Sequence, residues 1–328
     1  MNLLITGGTG SFGRAFTKLM IDRCERLVIY SRDEWKQGEM RDEFPESRFP
    51  QIRYFIGDVR DRERLETALY GIDTVVHAAA LKQVPVAEYN PFECIRTNVY
   101  GAENVAKAAI ACGIKRVVAL STDKAVAPIN LYGASKLAAE KIFVAADKAA
   151  RGCHFAVVRY GNVIGSRGSV IPYWQKLIAE GAKTLPLTHR DMTRFWITLK
   201  DGAKFVEKCL IHTEGGEIFV PALLSARMTD VAQVLAPGMP LKITGMRPGE
   251  KIHEWLISPD EQNVCWAGDH FVIDTGSKHR LPPDKGHGLS SAGSPISLDS
   301  LTSLLASLGV RPASPAPAVP LRATDARP

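Results

Sequence analysis

Near its start the chain carries a short apolar run, "NLLIT", that ends in glycines and gives way to "SFGRAFTKLMID", where apolar residues recur at helical spacing. The first pattern predicts a buried strand, the second an amphipathic helix, and the glycines a tight turn between them. Further apolar, β-rich runs follow: "RLVIYS", "IRYFIGD", "TVVHAAA", "RVVALST" and "HFAVVRYGNV". Helical patterns separate them around 61–70, 91–112 and 132–150. Strands alternating with helices predict an α/β fold, a Rossmann-type doubly wound parallel sheet. After about residue 165 the rhythm breaks into segments punctuated by Gly and Pro, with helices expected near 170–181, 200–211 and 227–235. The expected organisation is therefore a dinucleotide-binding domain over 1–165, with a return segment near 190–225, and a smaller C-terminal substrate-binding domain mainly over 166–276. Residues 277–309 read as a peripheral segment in which "SLDSLTSLLASLG" forms a Ser-capped helix, and 310–328 as a disordered tail.

Composition narrows the class without naming it. Among 328 residues, 45% are hydrophobic and 23% charged, which suits an ordinary globular protein. The net charge of +6 is spread over 41 basic and 35 acidic residues with no long basic run. That favours a small phosphorylated ligand over nucleic acid, for which a basic stripe with interleaved aromatics is missing. Six scattered cysteines show neither zinc spacing nor a disulfide framework and read as reduced packing residues, and no metal is expected. No signal peptide and no run of about 18 to 20 apolar residues is present, so a cytoplasmic protein with no membrane contact is expected.

The candidate chemistry sits where strands end. "TGGTGSFG" sets Gly7, Gly10 and Gly13 between strand and helix, with Thr9, Ser11 and Phe12 among them. That spacing lets backbone approach a pyrophosphate at a helix N-terminus. At the end of the second strand, "YSRDEWK" offers Ser31, Arg32 and Lys36 to an adenosine 2′-phosphate, which favours NADP. If Asp33 faces the ribose instead, NAD is preferred. Asp58 and Val59 are placed to hold an adenine, and Ala78 and Ala80 are small enough for a cofactor to lie over them. His77 reads as structural. Tyr132 and Lys136 stand four apart, on one face of the expected helix, where a cation beside the phenol favours phenolate.

The glycine turn and the Y-x-x-x-K spacing resemble the extended short-chain dehydrogenase/reductase family, in its nucleotide-sugar-modifying branch, over roughly residues 1–275. The blocks "TDKA", "PINLYGASK", "HAAALKQVP", "GNVIGSRGSVIP", "MTRFW" and "RPGEK" are similar to the inverting UDP-N-acetylglucosamine 4,6-dehydratases of that branch, from pseudaminic acid biosynthesis. The resemblance implies an NADP-dependent hydro-lyase acting on UDP-N-acetylglucosamine, and a homo-oligomer. It implies that Tyr132, helped by Lys136, takes a sugar hydroxyl proton, with Thr122 hydrogen-bonded nearby. Lys124, its pKa lowered by neighbouring cations and partial desolvation, would deprotonate carbon 5, and a protonated Asp123 would protonate the departing hydroxyl. Family position assigns substrate contacts to Lys82, Asn162, Ser169, Val170, Ile171, Arg194, Arg247 and Glu250. A 4-epimerase or a reductase is the alternative, disfavoured by the Asp-Lys pair. The exact hexosamine, and inversion against retention at carbon 5, stay open at this level.

Overall fold

The computed structural model describes residues 1–275, 288–293 and 295–310. Its first half runs β1 (Asn2–Thr6), α1 (Ser11–Met20), β2 (Arg26–Ser31), α2 (Glu34–Glu43), β3 (Ile52–Ile56), α3 (Arg62–Ala68) and β4 (Thr74–His77). Then come α4 (Val84–Tyr89), α5 (Pro91–Ile95), a π turn over Arg96–Tyr100, α6 (Gly101–Ala111), β5 (Arg116–Thr122), α7 (Leu131–Ala149) and β6 (His154–Tyr160). The strands pair in parallel in the order β3-β2-β1-β4-β5-β6, as the alternation of strands and helices predicts. The order reverses between β1 and β4, which opens a crevice at the carboxyl ends of the strands.

The strands look uniformly apolar because both faces are covered. Leu4, Val28, Val75, Val117 and Phe155 pack on one side with residues of α3, α6 and α7. Their neighbours Leu3, Ile5, Leu27, Val76 and Val118 point the other way, into a core shared with Phe16 and Met20 of α1. Successive side chains of a strand alternate between faces, so a sheet sandwiched by helices needs an apolar residue at nearly every position. α2 was not among the expected helices. Its sequence, EWKQGEMRDE, buries only Gln37 and Met40, so it shows no apolar stripe, and Asp33 caps its start by accepting from Lys36 N.

The remaining elements are β7 (Asn162–Val163), α8 (Val170–Ala179), β8 (Leu185–Leu187), β9 (Thr193–Ile197), α9 (Leu199–His212), β10 (Glu217–Pro221) and β11 (Leu224–Arg227). They continue with α10 (Met228–Leu235), β12 (Leu241–Ile243), β13 (Trp255–Ile257), β14 (Val264–Trp266), β15 (His270–Asp274), β16 (Leu289–Ser290) and α11 (Leu298–Ser307). β10 extends the large sheet beside β6, and α9 lays Val206, Cys209 and Leu210 into the core of α1. A second return brings β15 and β14 antiparallel onto β10, so the sheet has nine strands among the described residues. A separate core joins Trp174, Leu187, Trp196, Val231 and Leu235 to Leu301 and Leu305 of α11. α11 is Ser-capped as expected: Ser297 accepts from Ser300 N. Residues 276–287, and all of the expected tail except Val310, lie outside the described residues. All six cysteines are free thiols, five of them buried. No described helix is long and apolar enough to cross a membrane, and no described cluster of His, Cys, Asp or Glu is arranged to hold a metal ion.

Candidate active site

The crevice widens into a cleft of about 1210 Å³ between the large sheet and the second core. The glycine turn forms one end. Gly7 has φ +65°, and a Cβ there would stand 2.8 Å from the Ala79 backbone; at Gly13 it would stand 2.2 Å from the Gly8 carbonyl oxygen. Only glycine fits either place. α1 then starts at Ser11 with no side chain capping its free N–H groups, and Thr9, Gly10, Ser11 and Phe12 line the cleft. Uncapped donors and a positive dipole end suit the pyrophosphate of a dinucleotide.

The next wall is built from the ends of β2 and β3. Ser31 is buried and accepts from Gln37 Nε2 at 3.2 Å. Asp33 is committed to α2: one carboxylate oxygen accepts from Lys36 N at 3.0 Å and the other pairs with the Lys36 ammonium. These bonds from Lys36 hold the Asp33 carboxyl below the usual range. Arg32 keeps its guanidinium half-exposed on the cleft lining, 3.7 Å from Asp58. Val59, Ala78 and Ala80 also line this end. His77 bonds Thr6 Oγ1 through Nδ1 at 2.8 Å, and burial pushes its imidazole down to about 3, so it is a neutral packing residue.

The catalytic candidates meet where β5 ends. Asp123 and Lys124 occupy a single 3₁₀ turn, Asp123–Ala125, whose start Thr122 caps by accepting from Lys124 N. Thr122 Oγ1 donates to Asp123 Oδ1 at 2.9 Å. The first turn of α7 is seated directly on this turn, because a Cβ at Gly133 would lie 2.1 Å from the Lys124 carbonyl oxygen. Asn130 caps α7 through Gly133 N and donates from Nδ2 to the Gly249 carbonyl at 2.7 Å, tying the helix to the "RPGEK" segment. Tyr132 and Lys136 are therefore buried on the cleft wall beside Thr122 and Lys124. Asp123 lies behind them, fully buried.

Two electrostatic expectations are corrected. Burial does press the Lys124 ammonium downward, but the carboxylates of Asp123 and Glu254, at 3.1 Å and 3.3 Å, outweigh it and hold the pKa up to about 12. The sequence suggested neighbouring cations; the fold brings two anions to the ammonium, and they outweigh the opposing Arg194. Likewise, burial pushes the Tyr132 phenol up to about 12, and the groups pulling it down are Lys124 and a side-chain hydrogen bond with Thr122, not Lys136. Lys136 itself is lowered by burial to about 8, against Glu140.

The structure brings most of the remaining candidates to the cleft lining. Lys82 donates to the Arg167 carbonyl at 3.1 Å, and burial lowers its pKa. Asn162, Ser169 and Val170 face the cleft; Ile171 does not, being 1% exposed within the second core. One residue along a helix is a turn of about 100°, enough to move a side chain from the lining to the interior. Arg247 and Glu250 pair with each other at 3.2 Å. Arg194 spends three N–H bonds on the carbonyls of Thr193, Lys251 and Ile252, so it braces backbone at the cleft wall. Glu254 and Lys251 are new participants that the sequence reading did not single out.

The family described as "Polysaccharide biosynthesis protein" matches residues 3–274. A UDP-N-acetylglucosamine 4,6-dehydratase (inverting) of Campylobacter jejuni serotype O:2 is 51% identical over 296 residues, spanning 89% of this chain and 88% of that one. A UDP-glucose 4-epimerase of Rickettsia canadensis is 41% identical over 293 residues, spanning 86% and 83%. The solved structure of Pen from Bacillus thuringiensis superposes with a TM-score of 0.88 at 34% identity, covering 94% of this chain and 98% of that one. The chain belongs to this polysaccharide biosynthesis family, within the nucleotide-sugar-modifying extended short-chain dehydrogenases/reductases.

Proposed function

We propose that the protein is a UDP-N-acetylglucosamine 4,6-dehydratase that inverts carbon 5 and works with bound NADP. The observation that carries this reading is the Asp123-Lys124 turn packed against Tyr132 and Thr122 on one cleft wall. An epimerase needs one proton acceptor for the carbon 4 hydroxyl, whereas loss of water across carbons 5 and 6 needs a second base and an acid. Similarity to the Campylobacter dehydratase supports the same choice. The name of the Rickettsia relative keeps the epimerase as the competing outcome.

Gly7 to Gly13 and the start of α1 would hold the pyrophosphate, Arg32 the adenosine 2′-phosphate, and Lys136 the nicotinamide ribose. When bound, the nicotinamide supplies a hydride acceptor that later gives the hydride back. Tyr132, as the phenolate that the neighbouring Lys124 ammonium favours, takes the carbon 4 hydroxyl proton, and the resulting ketone acidifies carbon 5. Lys124 starts as an ammonium. Passing one proton from Nζ to Asp123 Oδ1, 3.1 Å away, makes the amine base and the carboxylic acid together. The amine then accepts the carbon 5 proton while the Asp123 proton reaches the leaving hydroxyl through Thr122 Oγ1, 2.9 Å away on the cleft lining, which restores both charges. The proton left on Tyr132 balances the one that carbon 5 regains.

In deuterated water, UDP-N-acetylglucosamine is expected to yield a 4-keto-6-deoxy product carrying deuterium at carbon 5, read by NMR, with no net use of NADPH. A product flipped at carbon 4 with its carbon 6 hydroxyl intact would point to the epimerase. For the cofactor, Arg32→Ala is expected to weaken NADP about 10- to 100-fold while leaving NAD nearly unchanged, because only the 2′-phosphate loses a charge-assisted partner. Equal losses for both dinucleotides in titration calorimetry would remove Arg32 from that role.

A further inference from the structure

Lys124 is carried by the large sheet, yet one of the two carboxylates that meet its ammonium arrives from a segment distant along the chain. Glu254 stands immediately before β13, is 2% exposed, and brings Oε1 to 3.3 Å from Lys124 Nζ. Its Oε2 is buried without a hydrogen bond, with only the Lys251 ammonium near, at 3.7 Å. A buried carboxylate so sparsely served is costly unless cations hold it. Its backbone is braced on both sides. Glu254 N donates to Ser291 Oγ at 2.9 Å, and Ser291 N donates to the Glu254 carbonyl at 2.8 Å. Arg194 grips the carbonyls of Lys251 and Ile252, both at 2.9 Å, and Lys251 Nζ donates to Val126 O at 2.7 Å, just beyond the catalytic turn. A rigid carboxylate thus faces a flexible four-carbon side chain, which is the arrangement of a tether.

We propose that Glu254 is a positioning residue for Lys124: it fixes the ammonium at the cleft wall and sets the pH at which that lysine gives up its proton. This rests on the dehydratase reading above. The charged and titratable groups that face Lys124 are Asp123 on its own turn, Tyr132 on α7, Arg194 on β9, and Lys251 with Glu254 on the crossing segment. Asp123 is spent on the leaving hydroxyl. Glu254 is the carboxylate left to govern the charge of Lys124 throughout the cycle. A carboxylate beside an ammonium favours the protonated form, so neutralising it lets the amine appear at lower pH.

The test uses the full-length protein with NADP and UDP-N-acetylglucosamine, following deuterium entry at carbon 5 and product formation against pH. Glu254→Gln is expected to bind NADP normally, by its melting shift, and to move the rising limb of carbon 5 exchange down by about one to two pH units. Glu254→Ala, which removes the accepting oxygen as well, is expected to show the same lowered limb but a plateau rate of exchange about tenfold slower, while KM changes little. Lysine labelled with nitrogen-15 gives a readout free of turnover. A slowly exchanging ammonium signal, assigned by its loss in Lys124→Ala, is expected in the parent protein and faster exchange in Glu254→Gln. An unmoved limb, or an ammonium signal unchanged in Glu254→Gln, overturns the assignment. If Glu254→Gln does not fold, Glu254→Asp decides: a longer gap to Lys124 must move the limb in the same direction by less, and a parental limb rejects the tether. Failure of the parent protein to dehydrate the sugar sinks the functional reading instead, while the ammonium signal still decides the tether.

Discussion

Lys124→Ala is expected to bind NADP and oxidise the sugar, then stall. With no amine at position 124, carbon 5 keeps its proton, and the rate of dehydration falls by about 10³-fold or more, at the upper part of the range for losing a general base. Oxidation at carbon 4 also slows, by about tenfold, because the Lys124 ammonium is the cation that pulls the Tyr132 pKa down. Bound reduced cofactor should therefore accumulate in single-turnover absorbance while no 6-deoxy sugar forms. The variant should also melt lower. It strands Asp123 and Glu254, both nearly inaccessible, without their shared partner, a change that costs about 3–5 kcal/mol for a buried pair. Dehydration at the parental rate would remove Lys124 from the chemistry.

Tyr132→Phe is expected to fail earlier. The ring still fills its place in the small cluster with Ala87 and Cys94, so folding should survive. The carbon 4 hydroxyl loses its proton acceptor, and single-turnover oxidation should drop by about 10²- to 10⁴-fold. No reduced cofactor should build up, and carbon 5 should not exchange, since the ketone that acidifies it never forms. The two variants thus separate the half-reactions: one traps an oxidised sugar, the other leaves it untouched. Rapid carbon 5 exchange in Tyr132→Phe would contradict that order.

The large sheet and the Thr122–Lys124 turn were legible in the sequence for different reasons. Strands buried on both faces advertise themselves as apolar runs, and the stretch 121–136 carries Thr122, Asp123, Lys124, Tyr132 and Lys136 within one strand, one turn and the first turns of α7. Local spacing places such groups together. It is silent about partners delivered by topology. Glu254 reaches Lys124 because Arg194, Ser291 and β13 position its backbone, and no periodicity along the chain encodes that meeting. The same gap explains the reversed pKa of Lys124, since the charges that decide it are neighbours in space. α2 escaped notice because a solvent-facing helix with a central Gly38 has no stripe to detect, and this hid the capping duty of Asp33. Ile171 shows the resolution limit of motif matching: its neighbours Ser169 and Val170 line the cleft, while helical rotation sends Ile171 inward.

The late arrival of β10, β14 and β15 bears on how the protein is made. A nascent chain that ends shortly after Tyr160 has β6 as a bare margin, with no strand yet to pair along its outer side. Such an unpaired edge is where other chains attach. Cover arrives only with Glu217–Pro221, and the outermost strands only after Asp274 has been synthesised. The ribosome must therefore deliver the braces of Lys124 and the guard of the sheet in the same late stretch, so premature termination before it leaves both the cleft and the sheet edge unfinished.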